Sequence, residues 1–194
     1  MLDLFEVPPV PGLAAQPHFI TREEEEALIA AIDTLDLTPF RFQQWTGKRL
    51  TRSFGWKYDF ASGALSRGEP LPDWLQPVRE RAEAFAGLLS GEITQALMIR
   101  YDPGAGIGWH KDRPIYEHVV GLSLGVPATM RFRRKEEDRW QRISLPLEPR
   151  GLYHLSGEVR HIWEHSIAEM DSGKRYSITF RSFSDKGRRL AAAP

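Results

Sequence analysis

Cysteine is absent from the 194 residues, which excludes disulfides, zinc–thiolate sites and a thiol nucleophile in one step. Surplus charge is absent too. Lys plus Arg and Asp plus Glu both count 26, so no whole-molecule field draws the chain to nucleic acid or to an anionic membrane, and any polyanion must be met by a local patch. No apolar run approaches the roughly 20 residues of a membrane span. The first residues carry Asp3 and Glu6 without a basic region, so no secretory leader is expected. The expectation is a cytoplasmic monomer without membrane contact. Internal repeats and low-complexity tracts are missing as well, apart from Pro8, Pro9 and Pro11, while Ala191 to Pro194 reads as a frayed end.

What is present is ordinary globular composition, 41% hydrophobic and 27% charged, long enough for one core and a single domain over 1–194. Thr21 and Glu24 stand in capping-box spacing ahead of Leu28, Ala31, Ile32 and Leu35 at helical intervals, which predicts a first amphipathic helix. A second is predicted after Asp73, with Trp74, Val78, Ala82, Phe85 and Leu89 on one stripe, Pro77 in the first turn and Ser90-Gly91 as the stop. Between them, Phe40 to Gly68 is aromatic, basic and glycine-punctuated, the pattern of a hairpin with long loops. After Gly91 short apolar runs recur at turn-punctuated intervals: Ala96 to Tyr101, Val119 to Leu124, Thr129 to Arg133, Ile143 to Leu147, Gly151 to Leu155 and Arg175 to Phe183, with Lys135 to Arg139 as a hairpin tip. The fold expected is mixed α+β and mainly β. Helices and hairpin over 1–92 pack on one sheet of a double-stranded β-helix, or jelly roll, over 93–185.

Three features carry chemistry. His110 and Asp112 flank Lys111 just after the turn Pro103-Gly104-Ala105-Gly106, and in extended chain residues two apart point to one side, so imidazole and carboxylate converge as a candidate metal pair. The alternative is a local hydrogen bond at the surface. His165, in the run Arg160-His161-Ile162-Trp163-Glu164-His165, completes two imidazoles and one carboxylate, the facial triad of non-haem Fe(II) oxygenases. His161 and His165 could instead grip zinc from a helix, but the His-Glu-x-x-His order is missing and the flanks are strand-like. His18, His118 and His154 are read as structural.

The third feature is the last strand. Alternation puts Arg175, Ser177, Thr179 and Arg181 on one face and Tyr176, Ile178 and Phe180 on the other. If the apolar face packs on the helices, the polar face lies inside the sandwich, where arginines are costly without an anion. Six residues separate the two arginine backbones by ~20 Å, leaving room for a small dicarboxylate clamped at both ends by planar forked donors. An edge strand with both arginines in solvent is the competing reading.

These residues together resemble the AlkB family of iron and 2-oxoglutarate dioxygenases. Tyr101-Asp102-Pro103-Gly104, His110-x-Asp112, Leu122-Ser123-Leu124-Gly125, Trp163-x-His165 and Arg175-x-Ser177-x-Thr179-x-Arg181 occur in family order and spacing, over about Arg49 to Phe183. Phe54-Gly55-Trp56-x-Tyr58 and Pro70-Leu71-Pro72 look closest to the branch with transfer-RNA wobble-uridine hydroxylase domains and some bacterial repair members. The resemblance implies Fe(II) on His110, Asp112 and His165, which are thereby the catalytic residues. It implies 2-oxoglutarate as cosubstrate on Tyr101, Arg175 and Arg181 with Ser123, Ser177 and Thr179, and O2 as oxidant. It further implies release of succinate and carbon dioxide, with formaldehyde where an N-methyl group is oxidised. Three departures stand out: Ile99 where many repair members have Asn two residues before the tyrosine, Ser177 where many have Asn, and Pro114 where some have an acidic residue.

The implied partner is alkylated nucleic acid, preferably single-stranded, with oxidative dealkylation as the activity; hydroxylation of a tRNA base, a protein side chain or a metabolite is the alternative, and a non-catalytic metal-binding jelly roll a third reading. An enzyme acting on a base must extrude and stack it. The segment Gln43 to Tyr58 offers Trp56 or Tyr58 for stacking and Arg49, Arg52 and Lys57 for phosphates, or else these aromatics are hairpin core. Arg133, Arg134, Arg188 and Arg189 are further phosphate candidates, or a solvated charged face.

Overall fold

The computed structural model describes residues 10–42, 45–59 and 63–192; Pro8, Pro9, Gln43 and Pro194, on which some expectations fall, lie outside them. Two antiparallel sheets carry the fold. In the larger the strand order is β1 (Leu13–Gln16), β10 (Leu152–Leu155), β7 (Tyr116–Gly125), β12 (Arg175–Phe183), β5 (Ile93–Tyr101), β3 (Trp45–Tyr58) and β2 (Thr38–Phe42), with β4 (Leu65–Arg67) on β3. In the smaller it is β6 (Ile107–His110), β11 (Glu164–Ile167), β8 (Ala128–Glu136) and β9 (Arg139–Leu147). The expected helices in front of a two-sheet jelly roll are what forms.

Helix α1 (Arg22–Asp33) is opened by the capping box: the Thr21 hydroxyl accepts from the Glu24 amide at 3.2 Å, and the Glu24 carboxylate accepts from the Thr21 amide at 2.7 Å. A 3-10 turn over Asp73–Leu75 leads into α2 (Gln76–Phe85). The second helix therefore starts three residues after Asp73 and ends before Leu89, because Pro77 fits only at its first positions. Short α3 (Gly157–His161) and α4 (Asp185–Ala191) complete the chain. Helical order thus extends into the segment expected to be frayed, since Ser184 caps α4 by accepting from the Gly187 amide.

Leu28 and Ile32 of α1 and Val78 and Ala82 of α2 bury the outer face of the larger sheet against Tyr176, Ile178 and Phe180 of β12, Val120, Leu122 and Leu124 of β7, and Ala96 and Met98 of β5. Each valine, leucine, isoleucine, methionine or phenylalanine among them contributes roughly 1.5–3 kcal/mol by leaving water. Buried Glu25 pins α1 to the sheet by accepting from the Gly125 amide at 2.9 Å and pairing with Arg150 at 2.7 Å. Between the sheets lies a second core of Val119, Met130, Phe132, Leu147, Tyr153, Leu155 and Trp163.

Strand register decides what faces that interior. The inward rows read Gly125, Arg175, Tyr101; then Ser123, Ser177, Ile99, Thr51; then Gly121, Thr179, Leu97, Ser53; then Val119, Arg181, Gln95, Gly55. A shift of one residue would hand the helices the arginines and the site the aliphatics.

Candidate active site

The metal donors come from the smaller sheet and the loop beyond it. His110 ends β6 and is directly paired with His165 of β11; their rings lie 4.2 Å apart. Asp112 follows the strand end, so the two-residue periodicity brings it to the same side without its being part of β6. One ligand atom from each of His110, Asp112 and His165 lies within 4.8 Å of the others, a group able to hold a metal ion. The Nδ1 of His110 faces the Gly108 carbonyl at 2.8 Å, which fixes that nitrogen as the donor and leaves Nε2 a free lone pair, the second-contact arrangement common to metal-bound imidazoles.

The electrostatics suit a cation. Burial pushes the Asp112 carboxyl up, but the Arg181 guanidinium, seconded by His165, His110 and Arg160, outweighs it and holds the carboxyl well below the usual range. Burial first, and the neighbouring His110 second, push His165 down to about 3, so it is a neutral nitrogen ligand at physiological pH. Arg160, buried on α3, donates to the backbone carbonyls of Asp112, Arg113 and Tyr116. It thereby ties down the loop that carries the carboxylate. The zinc-helix alternative fails on geometry: α3 ends at His161, whose Nε2 lies 3.0 Å from a Glu117 carboxylate oxygen, and His165 sits on a strand. His118 and His154 meet each other at 2.9 Å and are structural, as expected.

The two arginines of β12 divide their work, which corrects the expectation of a symmetric clamp. Arg181 is already engaged: it donates to Asp112 Oδ1 at 2.8 and 3.1 Å and to Gln95 at 3.1 Å. Arg175 is fully buried, and none of its three guanidinium nitrogens has a hydrogen-bond partner among the described residues. It stacks 5.0 Å from the Tyr101 ring centre. Ser123, in the next row, has a buried hydroxyl without a hydrogen-bond partner among the described residues, while Ser177 and Thr179 hydroxyls lie 3.3 Å apart. An uncompensated buried guanidinium is costly. With Tyr101, Ser123, Ser177 and Thr179 beside it, the residues present fit a small carboxylate ligand.

The hairpin residues fare differently. Arg52 pairs across the sheet with Met98 of the helix-side core and forms an ion pair with Glu69 at 2.6 Å. It therefore stands on the face away from the metal and cannot contact a substrate there. Arg49 is no surface phosphate contact either: it is 6% exposed, sits 4.0 Å over the Phe40 ring, feels Tyr101 and Arg181, and has no ionic partner among the described residues. Trp56 packs edge-on against Phe183 at 5.6 Å, and Phe183 stacks on Tyr116, over which Arg181 lies; Trp56 thus backs the wall of the site. Tyr58 lies 4.6 Å beneath the Arg113 guanidinium, next to Asp112, and Lys57 is exposed. Arg133 pairs with Glu164 and is sandwiched between Trp109 and Trp140, Arg134 pairs with Glu158, and Arg188 pairs with Asp185.

Two site residues escaped sequence reasoning: Arg160 lay in a quoted run without a role, and Gln95 carried no motif. Gln95 holds Arg181 through its carbonyl oxygen while its amide nitrogen donates to Ser53 and to the Trp56 carbonyl, coupling the arginine to β3. Register alone signals it, since Gln95 stands opposite Arg181.

A jelly roll with an imidazole–carboxylate–imidazole donor set and a buried anion seat defines a class of protein, and comparison with known proteins agrees. Residues 12–181 match the family model described as the 2OG-Fe(II) oxygenase superfamily. The chain belongs to that superfamily and, within it, to the AlkB family, whose members work with Fe(II), 2-oxoglutarate and O2. It is 28% identical over 184 residues to an alkylated DNA repair protein ALKBH8 homolog of Arabidopsis thaliana, covering 81% of this chain and 51% of that protein. It is 29% identical over 219 residues to the alpha-ketoglutarate-dependent dioxygenase AlkB of Salmonella typhimurium, covering 96% of this chain and all of that one. Identity to the mouse tRNA (carboxymethyluridine(34)-5-O)-methyltransferase ALKBH8 is 28%, over 81% of this chain but only 24% of that protein. The chain thus spans about half of the plant ALKBH8-type relative and about a quarter of the mouse one. The solved structure of OsALKBH1 superposes with a TM-score of 0.63 at 16% identity, over 89% of this chain and 97% of that one, which bears out the fold.

Proposed function

We propose that the chain is an Fe(II)- and 2-oxoglutarate-dependent oxygenase that oxidatively removes alkyl groups from bases of single-stranded nucleic acid. One observation carries the reading: the strand whose Arg181 holds the metal donor Asp112 also carries, on the same inward face, a fully buried guanidinium with no hydrogen-bond partner among the described residues. His110, Asp112 and His165 would hold the ion, and Arg175 with Tyr101, Ser123, Ser177 and Thr179 the keto diacid. The bound pair supplies oxygen activation coupled to decarboxylation. The chain's own residues do the rest. Arg181 neutralises and orients Asp112, Arg160 fixes the loop beneath it, and the Phe132 and Trp163 core keeps water from the interior side.

Arg49, buried between Phe40 and the site, is left over once the diacid has its seat, and serves to read the acceptor edge of an extruded base, with Tyr58 and Tyr116 lining the approach. The exposed Trp140 and the exposed Arg142, which has no side-chain partner among the described residues, lie on the outer face of the smaller sheet and support a polynucleotide substrate. The tRNA substrate in the name of the mouse relative supports a tRNA base as the substrate of the second reading.

The test is to follow succinate and formaldehyde from single-stranded oligonucleotides bearing N1-methyladenine or N3-methylcytosine. Asp112→Ala is expected to reduce both to background; normal turnover in that variant refutes the metal site. Succinate release without methyl loss shifts the assignment to the second reading.

A further inference from the structure

The outer face of the smaller sheet carries more positive charge than the fold uses. Strands β8 and β9 alternate, so Met130, Phe132, Ile143 and Leu145 pack inward, while Arg131, Arg133 and Lys135 of β8 stand outside opposite Ser144, Arg142 and Trp140 of β9. On β11, Glu164 lies beside Arg133 and Ser166 beside Arg131. Two of these cations have work within the sheet: Arg133 pairs with Glu164 at 2.6 Å, and Arg131 donates to the Ser166 hydroxyl at 3.2 Å. Lys135 and Arg142 are exposed and have no side-chain partner among the described residues. Arg142 also stands directly across from Arg133, where like charges destabilise a strand pair. Strand β9 ends the sheet, so no neighbouring strand supplies an acid to offset that cost.

Indole rings are set among the charges. The Arg133 guanidinium lies 4.3 Å from the Trp109 ring centre and 4.4 Å from that of Trp140, and Arg131 lies 5.3 Å from Trp109. These contacts fix the rings on the surface, where Trp140 remains 40% exposed. Fixed indoles interleaved with uncommitted cations match what single-stranded nucleic acid presents, bases to stack and phosphates to neutralise. The position fits as well. Trp109 directly precedes the metal donor His110 on β6, the opposite edge strand of the sheet, so the face begins one residue from the site and runs three strand spacings, about 14 Å, to β9.

We infer that this face is a docking track for the single-stranded chain flanking the target base, with Lys135 and Arg142 neutralising phosphates and Trp140 stacking a flanking base. The inference rests on the nucleic-acid reading above. Binding of a fluorescein-labelled, unmethylated oligothymidylate of about fifteen nucleotides is followed by anisotropy against salt, and kcat/KM is measured on a methylated trinucleotide and on a methylated oligonucleotide of the longer length. Lys135→Gln/Arg142→Gln is expected to weaken binding about ten-fold or more at about 0.1 M salt and to reduce the slope of log K against log salt by about 1.4, two phosphate contacts at roughly 0.7 each. Trp140→Ala is expected to weaken binding about five-fold or more with the slope unchanged. In both variants kcat/KM falls on the longer substrate and keeps its wild-type value on the trinucleotide, which reports an intact site. Wild-type affinity and slope in the double variant overturn the inference, as does wild-type protein that fails to bind the oligothymidylate. An equal loss on both substrates also overturns it, by placing these residues at the pocket rather than beside it. Wild-type protein that binds with the expected slope yet removes methyl groups from neither substrate refutes the dealkylation reading and leaves the track standing as a nucleic-acid surface.

Discussion

Arg175 should cost the empty protein stability and repay it only on ligand binding, and the two halves of that statement can be measured apart. The guanidinium is completely buried with no hydrogen-bond partner among the described residues, and it lies 5.0 Å from the Tyr101 ring centre. Replacing a buried uncompensated charge by an apolar side chain of similar length removes a desolvation penalty. Exchanges of this kind range from neutral to about 4 kcal/mol stabilising, so Arg175→Met is expected to leave the ligand-free protein as stable as the wild type or ~1–3 kcal/mol more so by urea unfolding. The same change removes a charge-assisted, two-pronged pairing with a carboxylate. Losing one partner of such a buried pair costs about 3–5 kcal/mol, or more than a hundredfold in affinity. At 2-oxoglutarate concentrations a hundred times its Kd, wild-type protein gains about 2.7 kcal/mol by mass action; the variant gains almost nothing at that concentration. A ligand-free variant that is less stable than wild type by more than ~1 kcal/mol, or one that still responds to 2-oxoglutarate, refutes the argument.

Two further outcomes are expected. Arg52→Ala should change kcat/KM on a methylated oligonucleotide by less than about twofold, because the side chain stands on the helix face of the sheet and its ion pair with Glu69 is partly exposed; a tenfold loss would place the substrate on that face. His154, pushed down to about 4 by burial and then by His118, stays neutral in the folded chain while the unfolded chain takes up a proton below its ordinary value of 6.5. Stability is therefore unaffected above pH 6.5 and falls as pH drops from there toward 4, by on the order of 2 kcal/mol. His154→Phe should flatten that acid limb in pH-dependent unfolding, and an unchanged limb would show that His154 is not the group responsible.

The sequence made the β core legible because its strands alternate cleanly. Met130 and Phe132 are buried while Arg131 is exposed, and the polar and apolar faces of β12 went where period two sent them. The short elements β6 and β11, each four residues long, were not among the strands read from apolar periodicity, although their surroundings read as extended. Yet they carry two of the donors, found through residue types rather than periodicity. What could not be read was which face the hairpin turned. Arg49 and Arg52 look equivalent in sequence, but they are three apart, an odd spacing that sends them to opposite sides of β3. One has become a buried group beside the site and the other a surface ion pair. The division between Arg175 and Arg181 was hidden for a related reason: the loop holding Asp112 is placed by Arg160, a contact spanning 48 residues that no local pattern records.

That division explains why two arginines of one strand are not redundant. Arg181 spends its guanidinium on Asp112 from the larger sheet, while Asp112 itself belongs to the loop leaving the smaller one. The ion pair therefore bridges the two layers of the sandwich at the point where a metal must be gripped. Burial alone would favour a protonated Asp112, which is a poor ligand; the guanidinium reverses the balance and keeps the carboxylate ionised before any cation arrives. His110 gains its orientation from the Gly108 carbonyl and His165 from its strand pairing with His110, so each donor is held by a contact outside the group. The centre is thus preorganised by protein alone, and the unpaired charge is confined to the far end of the pocket, at Arg175, where an anionic ligand can discharge it.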